Sequence, residues 1–311
     1  MNDIISRIIP IVLLISIGSF MRYKKALKEE TVYEMKKFVV NYCLSAFLFI
    51  TFVNIVLKKE HYYITIITII MQCAFFGISL LLNKIKSIHH PLLPYVTSGT
   101  AFGFIGIPLF NAIFGAENID KFSILAIGHE FYLWLVLYAQ MSIRLGKNEF
   151  SIKSVLALFK TPTVISITLG ILLNILGFNT IIKTNGVLKG IYTTIEYLST
   201  LSIPLIIIII GYGLKINEKY MKESTKLLLA RMAVMLIIGY AFKYFIIDNI
   251  IQPDAIFDYA FLTFLITAPP LSLPLLVSMY STKENEELAN NLIVLSTIVT
   301  IALFVVLGFF V

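Results

Sequence analysis

The stretch Thr97–Phe114, which reads T-S-G-T-A-F-G-F-I-G-I-P-L-F-N-A-I-F, decides the fold because it is apolar enough to cross a membrane yet cannot form one regular helix. Gly99, Gly103 and Gly106 each lower the helix propensity by about 1 kcal/mol. Pro108 removes a backbone donor and clashes with the preceding turn. A freed backbone group in hydrocarbon is tolerated only where it is buried in protein or lines a watery cavity, so an interrupted span predicts a transporter's binding site. The alternative is a kinked packing helix, since Gly and Pro are common in membrane spans.

A second interrupted stretch lies in the C-terminal half, where Thr267–Pro274 reads T-A-P-P-L-S-L-P. Its prolines, Pro269, Pro270 and Pro274, do not fit into a regular helix. Two broken spans in corresponding positions of two halves indicate a shared binding site rather than packing alone.

The composition indicates a polytopic membrane protein. Of the 311 residues, 58% are hydrophobic and 14% are charged, and the mean hydropathy is +0.89. A soluble domain carries about 25% charged residues. The net charge of +7 is typical of basic cytoplasmic loops and does not indicate a nucleic-acid partner. Cys43 and Cys73 both fall inside apolar spans, where we expect small buried packing residues rather than a disulfide or a metal site.

About 20 apolar residues are needed to cross roughly 30 Å of hydrocarbon, and this length predicts ten spans. They fall near 3–21, 38–57, 62–83, 92–114, 120–143, 162–180, 187–214, 226–247, 256–280 and 287–310. The connections leave no room for a soluble domain, since the longest, Leu145–Thr161, is too short to fold alone.

The basic residues predict the orientation of these spans. The loops after the odd-numbered spans, with the adjacent span ends, hold 18 of the 25 Lys and Arg residues. The positive-inside rule therefore places these loops in the cytoplasm and both termini outside. We expect a multi-pass protein of the plasma (cytoplasmic) membrane, with membrane lipid around its spans.

The two halves of the chain echo each other. Pro10 precedes Gly18 by eight residues in span one, and Pro162 precedes Gly170 by eight residues in span six. In the same order, I-P-L-F in span four is echoed by L-P-L-L in span nine. Each half then holds five spans, an odd number, so the second half enters the membrane from the opposite face.

We therefore predict an all-α polytopic membrane protein with ten transmembrane helices in a 5+5 inverted repeat and with broken, crossing helices 4 and 9. The first five-helix repeat is residues 1–145, the second is residues 162–311, and a cytoplasmic linker at 146–161 joins them.

Four stretches of the chain carry motifs of one known family. They are G-I-P-L-F-N-A-I-F-G (Gly106–Gly115), P-P-L-S-L-P (Pro269–Pro274), K-T-P-T-V-I-S-I-T-L-G-I-L-L-N (Lys160–Asn174) and I-P-L-I-I-I-I-I-G-Y-G-L (Ile203–Leu214). In this order they resemble the fourth, ninth, sixth and seventh spans of the auxin efflux carrier family of permeases, within the bile acid/auxin/arsenite transporter-like superfamily. The resemblance covers nearly the whole chain.

The resemblance implies that spans four and nine unwind and cross near the middle of the membrane. It also implies a scaffold of helices 1, 2, 6 and 7, a mobile transport unit of helices 3–5 and 8–10, and elevator-type alternating access. The implied substrates are small organic anions such as carboxylates or auxin-like acids. A homodimer would form through the scaffold helices.

The chain departs from the family at the crossing. Ala101 stands where the family often has Asn, and the predicted span nine holds no Asn. Ser45 stands about where many relatives have a proline in the second span. Substrate identity therefore does not carry over from the family.

A broken helix offers two kinds of backbone group to a ligand. The N-terminus of its second half presents free N–H groups and a partial positive charge, which suit a carboxylate, whereas unwound carbonyls suit a cation. We expect the carboxylate, with hydroxyl groups assisting; the alternative is that each hydroxyl bonds its own helix at i−4. The candidate substrate-binding residues are Thr97, Ser98, Thr100, Ala101, Gly103, Phe104, Gly106, Pro108, Thr267, Pro269, Pro270, Ser272, Pro274, Asn41 and Ser45.

Ionisable residues inside spans are costly and are therefore functional candidates. The candidates for ion or proton coupling are Glu130, His129, Glu196 and Gln72, with a structural hydrogen bond or ion pair as the alternative for each. A buried Glu130 or His129 could carry a proton in each cycle, and H⁺ or Na⁺ is the coupling ion that we consider. We expect Arg231 to snorkel toward the cytoplasm and Lys243, near Asp248, toward the outside.

The sequence as a whole predicts a secondary active transporter of a small organic anion. The chain holds no Walker motif, nucleophile elbow or H-E-x-x-H motif, so neither an enzyme nor ATP-driven transport is expected, and no other cofactor is implied. One alternative is a transporter-like membrane sensor that binds ligand without flux. The other is a sodium-coupled importer.

Overall fold

The computed structural model describes residues 2–55, 59–145, 160–213, 216–252 and 254–308, and every regular element within these ranges is a helix. Most of the predicted linker, residues 146–159, lies outside the described residues. The prediction of an all-helical chain is confirmed for the part of the chain that the structure describes.

In the first half of the chain, the helices cover the segments that the sequence predicts as spans. They are α1 (Asn2–Tyr23), α2 (Glu29–Phe38), α3 (Ser45–Asn54), α4 (Lys59–Leu82), α5 (Leu93–Thr97), α6 (Ile107–Phe114), α7 (Ile119–Phe131) and α8 (Tyr138–Arg144). Wider π-helical turns join α2 to α3 at Val39–Leu44, lead into α6 at Phe102–Gly106, and join α7 to α8 at Tyr132–Leu137. Such turns are rare and are frequent at functional sites.

In the second half, the helices are α9 (Pro162–Ile175), α10 (Phe178–Thr184), α11 (Gly186–Gly213), α12 (Met221–Phe245), α13 (Ala255–Ile266), α14 (Leu273–Tyr280) and α15 (Lys283–Gly308). Pro162 is the first residue of α9, a position where its fixed φ suits the helix and its missing N–H costs nothing. Among the described residues, five helical stretches are long and apolar enough to cross a membrane by themselves: Glu29–Asn54, Tyr62–Leu82, Gly186–Gly213, Glu218–Asn249 and Lys283–Gly308. The fold is thus that of a helical membrane protein, and the 5+5 inverted repeat stays a prediction.

The chain divides into two compact units, each assembled from both halves of the sequence. The larger unit takes in Lys58–Ile152 and Lys215–Val311 together with the first eight residues. The smaller unit takes in Ile9–Leu57 and Lys153–Leu214. Both interrupted stretches that the sequence singles out belong to the larger unit.

Glycines permit the closest helix contacts of the smaller unit. A Cβ atom built on Gly18 of α1 would lie 2.0 Å from the carbonyl oxygen of Ile208 in α11, and one built on Gly211 would meet the α1 backbone at 2.1 Å. A Cβ atom on Gly170 of α9 would lie 3.1 Å from the carbonyl oxygen of Phe49 in α3. Small residues let two backbones approach this closely inside a membrane. The first span therefore packs on the seventh, and the sixth packs on the second, each through a glycine.

Polar side chains fix the ends of helices in the larger unit. The Lys243 ammonium at the end of α12 lies 2.7 Å from the Asp248 carboxylate and 2.8 Å from that of Asp258, which confirms the predicted proximity of Lys243 and Asp248.

The two cysteines differ in burial. Cys73 is exposed on α4, so the prediction that both cysteines are buried is wrong for this residue and holds for Cys43. Cys73 follows Gln72, which occupies the buried face of α4, and adjacent residues on a helix point about 100° apart.

Candidate functional site

Both predicted interruptions are present in the larger unit. The chain leaves helical geometry after Thr97 and regains it at Phe102, and it leaves helical geometry again after Ile266 and regains it at Leu273. Each second half begins with a proline in its first turn, Pro108 in α6 and Pro274 in α14. The interruptions thus follow from local chemistry, because proline starts a helix well and does not continue one.

The two interruptions meet each other directly. The backbone N–H of Ala101 donates a 2.7 Å hydrogen bond to the carbonyl oxygen of Ala268. A Cβ atom built on Gly99 would lie 2.7 Å from Cγ of Pro270, so only a glycine allows the two segments to approach in this way. The prediction that both helices are broken is therefore matched by a crossing at which the two breaks are in contact.

A buried arginine on α12 holds the two breaks together. The Arg231 guanidinium donates hydrogen bonds to the carbonyl oxygens of Val96, of Gly99 at 2.8 Å and of Thr267 at 2.6 Å. Its side chain is 2% exposed. The expectation that Arg231 snorkels toward the cytoplasm is wrong, because the carbonyl groups freed by the two breaks give the guanidinium partners inside the protein.

The polarity of the crossing follows from these contacts. The C-terminal ends of α5 and α13, which carry partial negative charge, point their freed carbonyls at Arg231. The π-helical turn Phe102–Gly106, which leads into α6, begins at the crossing, and so does α14. The first N–H groups of a helix have no partner within it, although that of Leu273 in α14 donates to the carbonyl oxygen of Pro270. In the π-helical turn, the first N–H groups belong to Phe102, Gly103 and Phe104.

His129 on α7 contacts the same crossing from another side. Its Nε2 accepts a 3.1 Å hydrogen bond from the backbone N–H of Thr100. The Nδ1 atom therefore carries the ring proton in the neutral form, and it lies 3.4 Å from a carboxylate oxygen of Glu130. The imidazole is 1% exposed and packs between the rings of Phe102, at 5.9 Å, and Phe264, at 5.7 Å between centroids. The structure thus places His129 at the interrupted stretch, with Glu130 beside it.

The hydroxyl groups at the crossing fall into two classes. Those of Thr97, Ser98 and Thr267 lie within hydrogen-bonding distance of the carbonyl four residues earlier, at 2.9, 2.6 and 2.6 Å. This is the alternative that we set beside ligand binding for such residues. The hydroxyl of Thr100 is buried and finds no hydrogen-bond partner among the described residues. Thr100 is therefore the hydroxyl best placed to serve a ligand.

A line of buried polar groups runs beside the crossing where α4 packs on α7. A Cβ atom on Gly128 would lie 2.4 Å from the carbonyl oxygen of Thr65, so these helices are nearly in backbone contact. Both side-chain polar atoms of Gln72 and the hydroxyl of Thr68 are buried without a hydrogen-bond partner among the described residues, and the buried hydroxyl of Tyr132 lies within reach of the Ser98 side chain. Gln72 was a candidate for coupling, and Tyr132 is an addition that the sequence did not indicate.

The other predicted site residues are placed as follows. Pro269 and Pro270 lie buried in the second break, and Ser272 precedes α14 with its side chain within reach of the Tyr138 hydroxyl. Gly106 ends the π-helical turn before α6, where a Cβ atom would lie 2.7 Å from the Phe122 ring. The remaining candidates do not belong to this crossing: Asn41, Ser45 and Glu196 lie in the smaller unit.

The sequence missed two parts of the site. Arg231 was assigned to a span end, although an arginine more than a turn inside an apolar span is by itself a signal of a buried polar role. The stack of Phe102, Phe122 and Phe110, with centroids 4.2 and 5.1 Å apart, gave no signal because aromatic residues are frequent throughout this chain.

Comparisons with known proteins agree with this description at a coarse level. No family model matches the chain, so the resemblance to the auxin efflux carrier family stays a prediction. The chain is similar to a protein of Methanocaldococcus jannaschii that is named an uncharacterized transporter, with 28% identity over 220 residues that make up 68% of each protein. Together with the long apolar helices, this similarity supports a multi-pass membrane protein of the transporter kind.

Proposed function

We propose that this protein is a secondary active transporter that moves a small organic anion, such as a carboxylate or an auxin-like acid, across the plasma membrane. The observation that carries the proposal is the polarity of the crossing. Arg231 covers the carbonyl ends of the two broken helices, whereas the amino ends of their second halves begin at the same crossing. An anion is the ligand that free N–H groups and a buried guanidinium favour.

Three groups contact or face the proposed anion. The backbone N–H groups from Phe102 to Phe104 bind a carboxylate oxygen, and the unpartnered hydroxyl of Thr100 donates to it. The aromatic rings of Phe102 and Phe264 offer an apolar wall for the organic part of the molecule. This arrangement favours an acid with a compact apolar body over a sugar or a cation.

The transport step that we propose is of the elevator type. The grouping of the chain into two compact units supports it, because the smaller unit holds α3, α9, α11 and most of α1, and the larger holds both breaks. The paired glycine contacts, α1 on α11 and α9 on α3, support an inverted repeat in which spans one and seven correspond to spans six and two. The larger unit would carry the anion past the smaller one.

The proposal is tested in two steps on the purified full chain. The first is a thermal-stabilisation screen over small carboxylates, including dicarboxylates and indole acids, with the corresponding amides as uncharged controls. The second is counterflow of each labelled hit in proteoliposomes, compared with protein-free liposomes. Saturable counterflow is expected. Stabilisation by a carboxylate without any counterflow would contradict transport and favour the membrane sensor, and stabilisation by amides and acids alike would contradict an anion site.

A further inference from the structure

One cation and three carbonyl groups form a closed cluster at the centre of the larger unit. The carbonyls of Val96, Gly99 and Thr267 come from the two interrupted stretches, and all three accept hydrogen bonds from Arg231. Val96 lies in the last turn of α5, while Gly99 and Thr267 lie outside helical geometry. The guanidinium reaches them from α12, a helix that is unbroken from Met221 to Phe245.

Carbonyl groups of this kind are the groups that bind coupling ions in membrane transporters. Where a span unwinds, its carbonyls lose their helical partners, and together with the C-terminal end of the half-helix they coordinate Na⁺ or H⁺. Such oxygens carry partial negative charge and are costly to leave unpaired in hydrocarbon. The two breaks of this chain therefore create a place that requires a positive charge.

The charge that is present there belongs to the protein. A guanidinium remains protonated in proteins and presents five N–H donors in a fixed plane. Among the ion pairs found in the described residues, none involves Arg231. Its neighbours are instead the three carbonyl dipoles, which solvate the charge in place of water and leave the net positive charge intact.

We propose that Arg231 is a built-in cation that fills the position which a coupling Na⁺ would otherwise take at the crossing. The broken helices are then held in register by a tethered charge, and the protein needs no monovalent metal ion to assemble its anion site. The role of Arg231 in transport rests on the proposed function. Its role as the cation that holds the crossing together does not.

The proposal predicts a gain of ion dependence when the guanidinium is removed. In Arg231→Ala, the three carbonyls lose their positive partner and leave a space lined by oxygen atoms. We expect the melting temperature of this variant to be lower than that of the wild type in choline chloride, and to recover by several degrees when sodium or potassium chloride replaces choline chloride at equal concentration. Arg231→Lys keeps a positive charge and should melt alike in all three salts.

A matched control comes from the smaller unit. Arg22 also donates to a carbonyl oxygen, that of Tyr212 at 3.1 Å, but it does so at a partly exposed position. In Arg22→Ala water can solvate that carbonyl, and the melting temperature should not depend on which cation is present.

Two results would overturn the proposal. One is an Arg231→Ala protein that melts at the same reduced temperature in sodium, potassium and choline chloride. The other needs no variant and remains decisive if Arg231→Ala cannot be purified: a wild-type protein that is itself more stable in sodium chloride than in choline chloride at equal ionic strength. Because both readouts are melting temperatures, they stand apart from the counterflow test of anion transport.

Discussion

Gly99 is the residue at which the crossing is most sensitive to a single methyl group. It has no side chain, and its carbonyl oxygen is one of the three that Arg231 holds. The neighbouring stretch contributes the ring of Pro270, which cannot turn aside as a flexible side chain could. A side chain at Gly99 would therefore disturb both the packing against Pro270 and the hydrogen bond from Arg231.

We predict that Gly99→Ala disrupts the crossing. The added Cβ would lie 2.7 Å from Cγ of Pro270 and 3.3 Å from a methyl group of Leu137, and overpacking of this kind costs about 1–3 kcal/mol. The melting temperature of the purified variant should fall, and carboxylates should no longer stabilise it. Gly77→Ala is the control, because a Cβ there meets nothing within 4 Å and a helical Gly-to-Ala change stabilises by about 0.5–1 kcal/mol. Equal behaviour of the two variants would contradict the packing described here.

Thr100 allows binding and stability to be separated. Because its hydroxyl has no partner among the described residues, Thr100→Val should leave the melting temperature nearly unchanged. The affinity for the carboxylate should fall about tenfold or more, since a hydrogen bond to a charged group contributes about 1.5–3 kcal/mol. Ser202→Ala removes another buried hydroxyl that has no partner among the described residues, in the smaller unit, and should leave the affinity as it is. An unchanged dissociation constant in Thr100→Val, measured by calorimetry, would remove this residue from the site.

Glu130 is the residue with which proton coupling can be tested. Its carboxylate is 3.4 Å from His129, whose ring accepts a hydrogen bond from the N–H of Thr100. Adding a proton to this pair would therefore change the hydrogen bond that His129 makes at the first break. In Glu130→Gln, the pH dependence of carboxylate counterflow should flatten because the amide does not titrate. Glu284→Gln, at a side chain that is 69% exposed, should keep the wild-type profile. A Glu130→Gln profile identical to that of the wild type would exclude a proton carried here.

How well the sequence predicts this site depends on how local each cause is. The breaks near Gly99 and Pro270 were predictable because glycine and proline act on their own turn of helix. The role of Arg231 was not, because its partners Val96 and Gly99 lie 135 and 132 residues away along the chain. A sequence pattern shows how far a charge lies from the end of its span, but not whether another helix offers it carbonyl groups there.

At the scale of elements, the start of α13 determines where the second broken helix begins. Asp254 is the N-cap, and its carboxylate accepts the N–H groups of Ile256 at 2.9 Å and Phe257 at 3.4 Å. The same carboxylate pairs with Lys121 in the first turn of α7. One side chain therefore anchors the N-terminal ends of two helices that both continue to the crossing.

This anchor gives a pH dependence whose direction is fixed. Burial raises the pKa of the Asp254 carboxyl, but hydrogen bonds from Lys121 and from two backbone N–H groups outweigh this and hold the pKa below its ordinary value. The ionised Asp254 therefore adds its full share to the free energy of unfolding when the pH is above the pKa of the carboxyl in the unfolded chain, about 3.9. This share is lost as the pH falls through the lower pKa of the folded protein. Because both side chains are 32% exposed and solvent screens the pair, the charge contributes under about 1 kcal/mol.

Two substitutions separate the charge of Asp254 from its capping role. Asp254→Asn keeps an N-cap acceptor, so its deficit in unfolding free energy against the wild type should be constant from about pH 5 to 8 and should shrink only below about pH 4. Asp254→Ala also loses the cap, which adds about 1 kcal/mol at every pH. Unfolding followed by circular dichroism against pH measures both differences. A deficit of Asp254→Asn that grows on acidification would contradict the lowered pKa.

The presence of the long apolar helices was predictable, because apolar segments and the lengths they need leave little choice, but their bounds were not: α2 begins at Glu29 although span two was predicted from 38, and Phe178–Thr184 forms a separate helix. Shorter features were not predictable either. The π-helical turns at Val39–Leu44 and Tyr132–Leu137 have ordinary apolar sequences, and no glycine or proline marks them. They arise from how neighbouring helices pack, which a single segment does not encode.

At the scale of the whole molecule, the asymmetry of basic residues predicts which face lies in the cytoplasm. In a protein whose Cys43 and Cys73 are replaced by Ser, a cysteine at Lys28 lies in the first predicted cytoplasmic loop, and one at Asn249 lies on the other side. An impermeant maleimide added to intact cells should label the Asn249→Cys protein, and should label the Lys28→Cys protein only after the membrane is opened. The reverse pattern would show that the positive-inside argument fails for this chain.

The repeat by itself does not predict the grouping into two units, because each unit combines segments from both halves. Only the resemblance to a known family implied a division of the helices into two groups. The echo of Pro10 and Gly18 in Pro162 and Gly170 pointed to a repeat, yet a repeat alone does not say which helices cluster. That information lies in pairwise contacts such as those of Gly18 and Gly211, where two backbones lie closer than any side chain would allow.

The hydrogen bond between Ala101 and Ala268, with Arg231 and His129 bound to the same two stretches, has one more consequence. All of these atoms belong to the larger unit, so a substrate bound among them keeps the same neighbours if that unit moves across the bilayer. Its dissociation constant should then be identical whether it arrives from the cell interior or from the medium. A carrier built in this way has no preferred direction of its own, and the electrochemical gradients of the substrate and of any coupled ion decide which way the substrate moves.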